Sequence, residues 1–383
     1  MKKLFKVTGL LVAMILIGLL ALFFIAKPEL GASAKGDRLD RIRAQPNYQN
    51  GRFHNEEPLD ESIRSVFKSI TSSSSGATEP TERIPTIKPT SFSNPAGRLA
   101  VTWLGHSTVL IEIDGMRILT DPMWGERASP FSFMGPRRFV EVPLEIKDLP
   151  TIDAVLLSHD HYDHLDKESI RALKEQVPIF ICPLGVGAHL EAWGVHPRKI
   201  IELAWWEETS LGELSLISTP ARHFSGRSIG DRFATLWSSW VIVGPDNRVF
   251  FGGDGGMGKH FAEIGDKFGP FELSMLEVGA YSVGWPDVHL GPEQAVMAHE
   301  ALRADHFLPI HWGTFRLAPH NWTEPIERLS SIKEPSINLL TPLIGERVEI
   351  IQAATQKQWW PEIPYLSAED YPIWSSGYGR NQR

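Results

Sequence analysis

Apolar and polar positions divide the chain into sections of different texture. Residues 7–26 form an uncharged, mostly apolar run. A helix of that length is about 30 Å long, which is the thickness of the hydrocarbon core of a bilayer. A polar section follows. Residues 96–352 then alternate short apolar runs rich in β-branched residues with turn residues and stretches of helical spacing. This alternation predicts an α/β domain in which helices cover the sheets.

The same pattern predicts four segments. We assign residues 1–26 to a signal-anchor or transmembrane segment and residues 27–95 to a polar extension with a Ser/Pro-rich linker. The folded domain is expected at residues 96–352 and a C-terminal tail at residues 353–383. Serine and proline runs of the kind found before residue 96 are typical of linkers.

The charges around the apolar run predict how it is oriented in a membrane. Lys2, Lys3 and Lys6 precede the run, and positive charge favours the cytoplasmic side. The domain would then be anchored to the inner membrane of a bacterium and face the periplasm or the cell surface. The alternative is secretion after cleavage near Ala32-Ser33-Ala34. The run exceeds the 7–15 apolar residues typical of a cleaved signal, which favours the anchor.

Overall composition excludes some classes of partner. The formal net charge is -8, which argues against nucleic acid, because phosphate binding requires a basic surface. The one cysteine, Cys182, excludes an internal disulfide framework. The 13 tryptophans indicate extensive aromatic packing or a surface that faces lipid.

One short segment carries the strongest chemical signal. Ser158-His159-Asp160-His161-Tyr162-Asp163-His164 follows a predicted strand and precedes a predicted helix. Imidazoles and carboxylates at this density are costly in a core, because each buried polar group needs a partner. They are good ligands for zinc, which accepts both nitrogen and oxygen. We therefore predict metal ligands at His159, His161, Asp163 and His164.

Further ligands are expected at the ends of later strands. His223, Asp254 and His311 each follow a predicted strand. The glycines around Asp254 allow the backbone to approach another segment closely. Each of these residues alone is better explained by a structural role, as a hydrogen-bonded histidine or a turn aspartate. Their order and their placement at strand ends favour ligation.

The order of these residues is similar to the ligand sequence of the metallo-β-lactamase superfamily. That resemblance implies an αββα sandwich with two zinc ions at one edge. His159, His161 and His223 would hold one ion, and Asp163, His164 and His311 the other. Asp254 would bridge them. Iron or manganese can replace zinc with such ligands.

Flanking motifs resemble the family of phospholipases D that hydrolyse N-acylphosphatidylethanolamine. They include Gly105-His106-Ser107-Thr108, Met134-Gly135-Pro136-Arg137-Arg138-Phe139, Trp205-Trp206-Glu207-Glu208 and Ile310-His311-Trp312-Gly313-Thr314-Phe315. The resemblance implies hydrolysis of a phosphodiester in a membrane phospholipid, releasing an N-acylethanolamine and phosphatidic acid. It also makes a homodimer plausible.

The resemblance assigns roles to further residues. Asp163, Asp254 and His289 would be the catalytic residues. His289 would orient the phosphate or protonate the leaving group, although a surface histidine before a helix is the alternative. Asp121 would orient a ligand imidazole, although Asp before Pro is also a common turn former. Structural roles are expected for the other histidines, among them His106, His189, His260 and His306.

Two alternative functions remain open at the level of sequence. The first is a related enzyme of the same superfamily, such as a sugar-phosphate lactonase or another phosphodiesterase. The apolar N-terminal run and the tryptophan content favour a lipid over a soluble sugar. The second is a non-catalytic binding protein of the cell envelope. A complete set of ligands argues against that, because a site that has lost its catalytic role usually loses metal ligands first.

Overall fold

The computed structural model describes residues 2–60, 77–89, 92, 99–228, 230–333, 337–350 and 358–379. The described helices are α1 (Lys2–Leu30), α2 (Gly36–Arg43), α3 (Lys167–Leu173), α4 (Gly187–Ala192), α5 (His260–Phe268), α6 (Pro292–Leu302) and α7 (Glu324–Ser331). The first eight described strands are β1 (Tyr48–Gln49), β2 (Arg52–Phe53), β3 (Ala100–Trp103), β4 (Val109–Ile113), β5 (Met116–Thr120), β6 (Ala154–Leu156), β7 (Ile179–Pro183) and β8 (Ile200–Leu203). The remaining described strands are β9 (Glu208–Leu211), β10 (Leu214–Thr219), β11 (Ser239–Val243), β12 (Arg248–Phe251), β13 (Phe271–Glu277), β14 (Ala304–Ile310), β15 (Asn338–Leu339) and β16 (Arg347–Glu349).

Helix α1 extends the predicted apolar run at both ends. Its apolar side chains are largely exposed, for example Ile17 at 67%. Residues 10–30 are long and apolar enough to cross a membrane, and they form the one helix among the described residues that meets this test. Length and composition alone carry that statement, since a signal sequence has the same properties.

Two seven-stranded sheets form the domain. The first has the order β16-β3-β4-β5-β6-β7-β8 and the second the order β15-β14-β13-β12-β11-β10-β9. In each sheet one half is antiparallel and the other half, β5 to β8 or β12 to β15, is parallel. A turn at Asp114-Gly115 joins β4 and β5, in which Ile113 pairs with Met116.

The alternation of side chains along the strands explains the layers. In β4, Val109 and Ile111 belong to the core shared with the second sheet, whereas Leu110 faces the opposite layer. There it packs with Ile170 of α3 and Leu190 of α4. Burying each such side chain contributes about 1.5–3 kcal/mol. Alternate side chains of one strand therefore pack the two sheets against each other and the helices against the first sheet.

The second sheet is covered in the same way. Helix α6 packs on β13 and β14, and α5 and α7 pack on α6. Phe261 and Ile264 of α5 are buried against Phe250 of β12. The predicted αββα sandwich is therefore confirmed.

Segments expected to be a linker and a tail also contact the domain. The serine run Ser72–Ser75 of the predicted linker lies outside the described residues. Residues 77–89 lie along the sandwich, where Ile84 is buried and the Ile87 N–H donates to the Ile344 carbonyl. In the tail, Ile373 is buried. These contacts extend the folded unit beyond the two sheets.

Candidate metal centre

Loops at one edge of the sandwich carry the predicted site. The strands that precede these loops run towards this edge, and they are β5, β6, β10, β12, β13 and β14. In the first sheet β5 and β6 are parallel. In the second sheet β12, β13 and β14 are parallel, and β10 has the same direction as β12 because both are antiparallel to β11. The loops that follow them bring together all of the predicted metal ligands, which are His159, His161, Asp163, His164, His223, Asp254 and His311.

Three imidazoles form the first group of candidate ligands. His161 Nδ1 lies 2.8 Å from His159 Nε2 and 3.3 Å from His223 Nε2. Nitrogen atoms bound to one tetrahedral zinc at 2.0–2.1 Å are about 3.3 Å apart. His223 Nδ1 lies 2.7 Å from the Val288 carbonyl oxygen, which fixes the ring with Nε2 towards the group. The spacing therefore suits a single metal ion.

A second group forms around Asp163. Its Oδ2 lies 3.4 Å from His164 Nε2 and 3.2 Å from His311 Nε2. Asp254 stands between the two groups, with Oδ1 3.1 Å from His164 Nε2 and Oδ2 3.1 Å from His311 Nε2. Its Oδ2 is also 4.0 Å from His159 Nε2. A carboxylate in this position can serve two metal ions at once.

A glycine permits this arrangement. Gly253 has a φ of +57°, and a Cβ atom there would lie 2.5 Å from the Ser158 Cβ. Glycine alone adopts that backbone conformation without strain and leaves room for the neighbouring loop. The loop with Asp254 can therefore approach the loop that begins at His159.

Unpaired polar atoms test whether the cluster suits a metal. His164 Nε2 and Asp254 Oδ1 are completely buried and have no hydrogen-bond partner in the described part of the chain. An unsatisfied buried polar atom costs about 1–3 kcal/mol. Both atoms point into the cluster at 3.1 Å from each other, and a metal ion bound to both would satisfy them. The residues present therefore fit a metal cofactor.

Burial and neighbouring charge place His159, His223 and Asp254 in forms that bind metal. Burial, reinforced by nearby imidazoles, lowers the pKa of His159 and of His223 well below the usual range. Both are then neutral, as ligation requires. Burial would raise the pKa of Asp254, but the imidazoles of His164 and His311 outweigh it and the pKa lies well below its usual range. The carboxylate is therefore ionised. Burial would lower the pKa of His164 and of His311, but the neighbouring carboxylates outweigh it and raise both, so a metal ion would displace a proton from each imidazole.

Asp121 lies directly beneath this cluster. It is fully buried, and its Oδ2 lies 2.7 Å from His164 Nδ1. The N–H and hydroxyl of Ser158 donate to the two carboxylate oxygens at 2.7 and 2.6 Å. With Nδ1 held in this way, His164 presents Nε2 to Asp163 and Asp254. The geometry is that of a carboxylate which orients a ligand imidazole.

His289 lies beside the cluster with a partner that the sequence analysis did not identify. Its Nδ1 is 2.7 Å from Glu277 Oε2 and 3.8 Å from Asp254 Oδ2. Burial lowers the pKa of His289 to about 4. Glu277 is the last residue of β13, and burial together with Asp254 raises the pKa of this carboxyl well above the usual range. Its strand-end position, shared with the ligands, was the available signal.

His106 was expected to be structural, yet it contacts the cluster. Its Nε2 lies 2.9 Å from Asp163 Oδ2, and its ring centroid is 4.0 Å from that of His311. His106, Asp121 and His311 all have positive φ values, of 53°, 34° and 64°. Residues other than glycine rarely adopt this conformation, and such strain is concentrated at functional sites. Its position in a turn that follows β3 was the signal for His106.

A cavity of about 400 Å³ opens beside the cluster. His161, Asp163, Asp254, His289 and His311 line it on the side of the metal ligands. Its remaining wall is mostly apolar and includes Leu59, Phe224, Ala280, Trp285, Val288 and Leu317. Sites of this size and composition accept one ligand and orient it with a few polar groups.

Comparison with known proteins connects this geometry to a family. The family model described as β-lactamase superfamily domain matches residues 116–312, more than half of the chain. The chain is a metallo-hydrolase of the metallo-β-lactamase superfamily. The superfamily resemblance inferred from the ligand order is therefore confirmed.

Relatives of this superfamily member include a phospholipase. It is 35% identical over 257 residues to N-acyl-phosphatidylethanolamine-hydrolyzing phospholipase D 1 of Caenorhabditis elegans, covering 63% of this chain and 72% of the nematode protein. The resemblance to this phospholipase family is thereby confirmed. An uncharacterised protein of Mycobacterium tuberculosis is 46% identical over 343 residues, covering 86% of this chain and 91% of that protein.

A solved structure supports the fold alone. The isothiocyanate hydrolase from Delia radicum gut bacteria superposes with a TM-score of 0.53 at 22% identity. The match covers 65% of this chain and 98% of the hydrolase. The described sandwich thus corresponds to nearly the whole of that enzyme.

Proposed function

We propose that this protein is a dinuclear zinc phosphodiesterase that cleaves N-acylphosphatidylethanolamine to an N-acylethanolamine and phosphatidic acid. The observation that carries the proposal is the apolar cavity of about 400 Å³ beside a complete ligand cluster. A phosphodiester at the cluster leaves the acyl chains to the apolar wall. The nematode relative, by its name, hydrolyses the same lipid.

The ligand groups assign each residue a position in this site. His159, His161 and His223 would hold one zinc ion, and Asp163, His164 and His311 the other. Asp254, within 3.1 Å of both His164 and His311, would bridge the ions. Zinc supplies Lewis acidity towards phosphate oxygens and a water activated near neutral pH. The chain itself fixes the geometry through Asp121 and Val288, which hold the imidazoles of His164 and His223.

His289 is proposed to orient the bound phosphodiester, since burial lowers its pKa to about 4 and leaves the imidazole neutral. It lines the cavity, and Glu277 engages its Nδ1 at 2.7 Å, so that Nε2 remains available to a bound phosphodiester. The catalytic assignment rests on the position of Asp163 within the second ligand group and of Asp254 between the two groups.

The proposal includes a membrane anchor formed by α1, with the domain outside the cytoplasm. The apolar residues of α1 are exposed, and lipid is the solvent in which such a surface is stable. The end of the helix and the residues that follow it are bonded to the domain. Glu29 pairs with Lys167 at 2.5 Å, and the Ala32 N–H donates to His189 Nδ1 at 3.1 Å. Cleavage near Ala34 would remove these contacts, which supports the anchor over the cleaved signal.

The test uses the full chain in vesicles that contain N-acylphosphatidylethanolamine, with lipid products identified by mass spectrometry. We expect phosphatidic acid and N-acylethanolamine. The His311→Asn variant should lose this activity. His306→Asn should retain it, because His306 lies near the other end of β14, 3.3 Å from the Glu272 carbonyl oxygen. Release of diacylglycerol would contradict the assigned bond, and turnover of lactones but no phosphodiester would favour the lactonase alternative.

A further inference from the structure

An exposed apolar loop lies apart from the cavity and the metal ligands. Residues 129–136, called here the Phe133 loop, expose Phe133 at 58% and Met134 at 50%. Outside α1, Ile87 is the one other large apolar side chain in the described ranges with comparable exposure. Adjacent exposed apolar side chains on a folded domain mark a contact surface.

The Phe133 loop is held in one conformation by its base. Arg127 donates from Nε to the Ser132 carbonyl at 3.0 Å and from Nη1 to the Gly135 carbonyl at 2.7 Å. The Ala128 N–H donates to the Pro136 carbonyl at 3.0 Å. These bonds satisfy the backbone of the loop from within. Its apolar tip is therefore presented outwards by a built structure.

The base of the loop is attached to the first turn of α3. The Trp124 N–H donates to Ser169 Oγ at 2.9 Å. Gly125 lies so close to Asp166 that an added Cβ would be 2.9 Å from its Oδ1. Asp166 caps α3 by accepting from the Ser169 N–H at 3.0 Å. The loop and the start of α3 therefore form one rigid corner.

The end of α1 is bonded to the same turn of α3. Lys167, the first residue of α3, pairs with Glu29 at 2.5 Å. Trp193 Nε1 donates to the Pro28 carbonyl at 2.8 Å, and Arg227 Nε donates to the Glu29 carbonyl at 2.9 Å. The position of the helix end relative to the domain is thus fixed by several bonds. A bilayer around α1 would meet the domain at this corner.

The metal-binding loop leads directly into this corner. Helix α3 begins at Lys167, shortly after His164. Arg227 also donates from Nη1 to the Asp160 carbonyl at 2.6 Å. The candidate metal centre, the end of α1 and the Phe133 loop therefore adjoin one another along one edge of the sandwich.

We propose that the Phe133 loop inserts into the surface of the bilayer that holds α1 and forms a second membrane contact. This inference rests on the proposed membrane anchor. A second contact beside α1 would limit the tilt of the helix in the bilayer and hold the edge with the metal centre against the lipid surface. Apolar side chains above a polar, hydrogen-bonded base are the composition of segments that lie at the membrane interface.

The experiment measures the depth of a fluorophore in the membrane. Cys182 is fully buried, and burial raises the pKa of its thiol well above the usual range, so it does not compete for a thiol reagent. The full-length Met134→Cys variant is labelled with an environment-sensitive dye and reconstituted into vesicles. Some of the vesicle lipids carry a nitroxide quencher near the headgroup. The matched control is Glu213→Cys, which lies exposed in the turn between β9 and β10 at the opposite edge.

We expect several-fold stronger quenching at position 134 than at position 213, and a weaker effect when Phe133→Ser is added. If the protein floats with the vesicles and the label is quenched at neither position, the loop contact is contradicted and the anchor is not. Protein that does not float with the vesicles contradicts the anchor and with it the loop contact. A label shielded from water but not reached by the lipid quencher shows that a second copy or another protein covers the loop, which also contradicts the bilayer contact.

Discussion

Replacing Asp121 by Asn tests how the protein tunes one half of the metal centre. The Asp121 carboxylate receives three contacts at 2.6–2.7 Å, two from Ser158 and one from His164 Nδ1. Asn keeps the shape but removes the charge and one acceptor. His164 then loses its fixed orientation. Loss of such a partner typically weakens metal binding about 10- to 100-fold, which corresponds to about 1.4–2.7 kcal/mol.

The effect should be largest at the group formed by Asp163, His164 and His311. The group formed by His159, His161 and His223 contacts Asp121 only through the Ser158 hydroxyl, which lies 2.9 Å from His159 Nδ1, so its affinity should fall less. Titration of the metal-free protein with zinc, in competition with a chromogenic chelator, resolves the two affinities. The control is Asp153→Asn, whose carboxylate accepts from the Arg117 N–H at 2.7 Å at the opposite edge. An equal loss of zinc affinity at both groups would refute the reasoning. An unchanged zinc affinity at the group formed by Asp163, His164 and His311 would refute it as well.

Three further predictions follow from individual contacts. Glu277→Gln should lower kcat about 10- to 100-fold while metal content is retained, because His289 loses the carboxyl that engages its Nδ1 at 2.7 Å; unchanged turnover in a steady-state assay would contradict that role. Burial lowers the pKa of His299 to about 4 from 6.5, so the unfolded chain binds its proton first as pH falls, and stability is lost between pH 6.5 and 4 by about 1.4 kcal/mol per unit. His299→Gln should flatten this part of the curve of unfolding free energy against pH, and an identical curve would contradict the assignment. Removal of metal by a chelator should lower Tm, and added zinc should restore it. A calorimetric Tm that changes neither with the chelator nor with added zinc would show that the cluster binds no metal.

The core of the site was predictable because its signal is local. Four ligands lie within six consecutive positions after a strand, and they are His159, His161, Asp163 and His164. The ends of parallel strands in one sheet meet at one edge. His223, Asp254 and His311 share that placement. The alternation of strands and helices in residues 96–352 was also predictable, since turn residues and helical spacing are short-range features.

Single residues and long-range contacts were not predictable in this way. Glu277 and His106 each stand alone in the sequence, and only the three-dimensional arrangement brings them to His289 and Asp163. The bond between Arg227 and Glu29 joins positions far apart in the chain, and no periodic pattern records it. Short strands such as β8, β9 and β16 are likewise fixed by neighbours rather than by a pattern of their own.

The central claim is that Asp254 bridges two zinc ions in a site that hydrolyses a phospholipid. The measurement that tests it most directly is elemental analysis of the full chain in lipid nanodiscs, coupled to turnover of N-acylphosphatidylethanolamine, for the native chain and for Asp254→Asn. The account predicts about two zinc ions per native chain with phosphatidic acid release, and loss of both bound metal and turnover in the variant. A native chain without bound metal, or a variant with full metal content and full turnover, would contradict it.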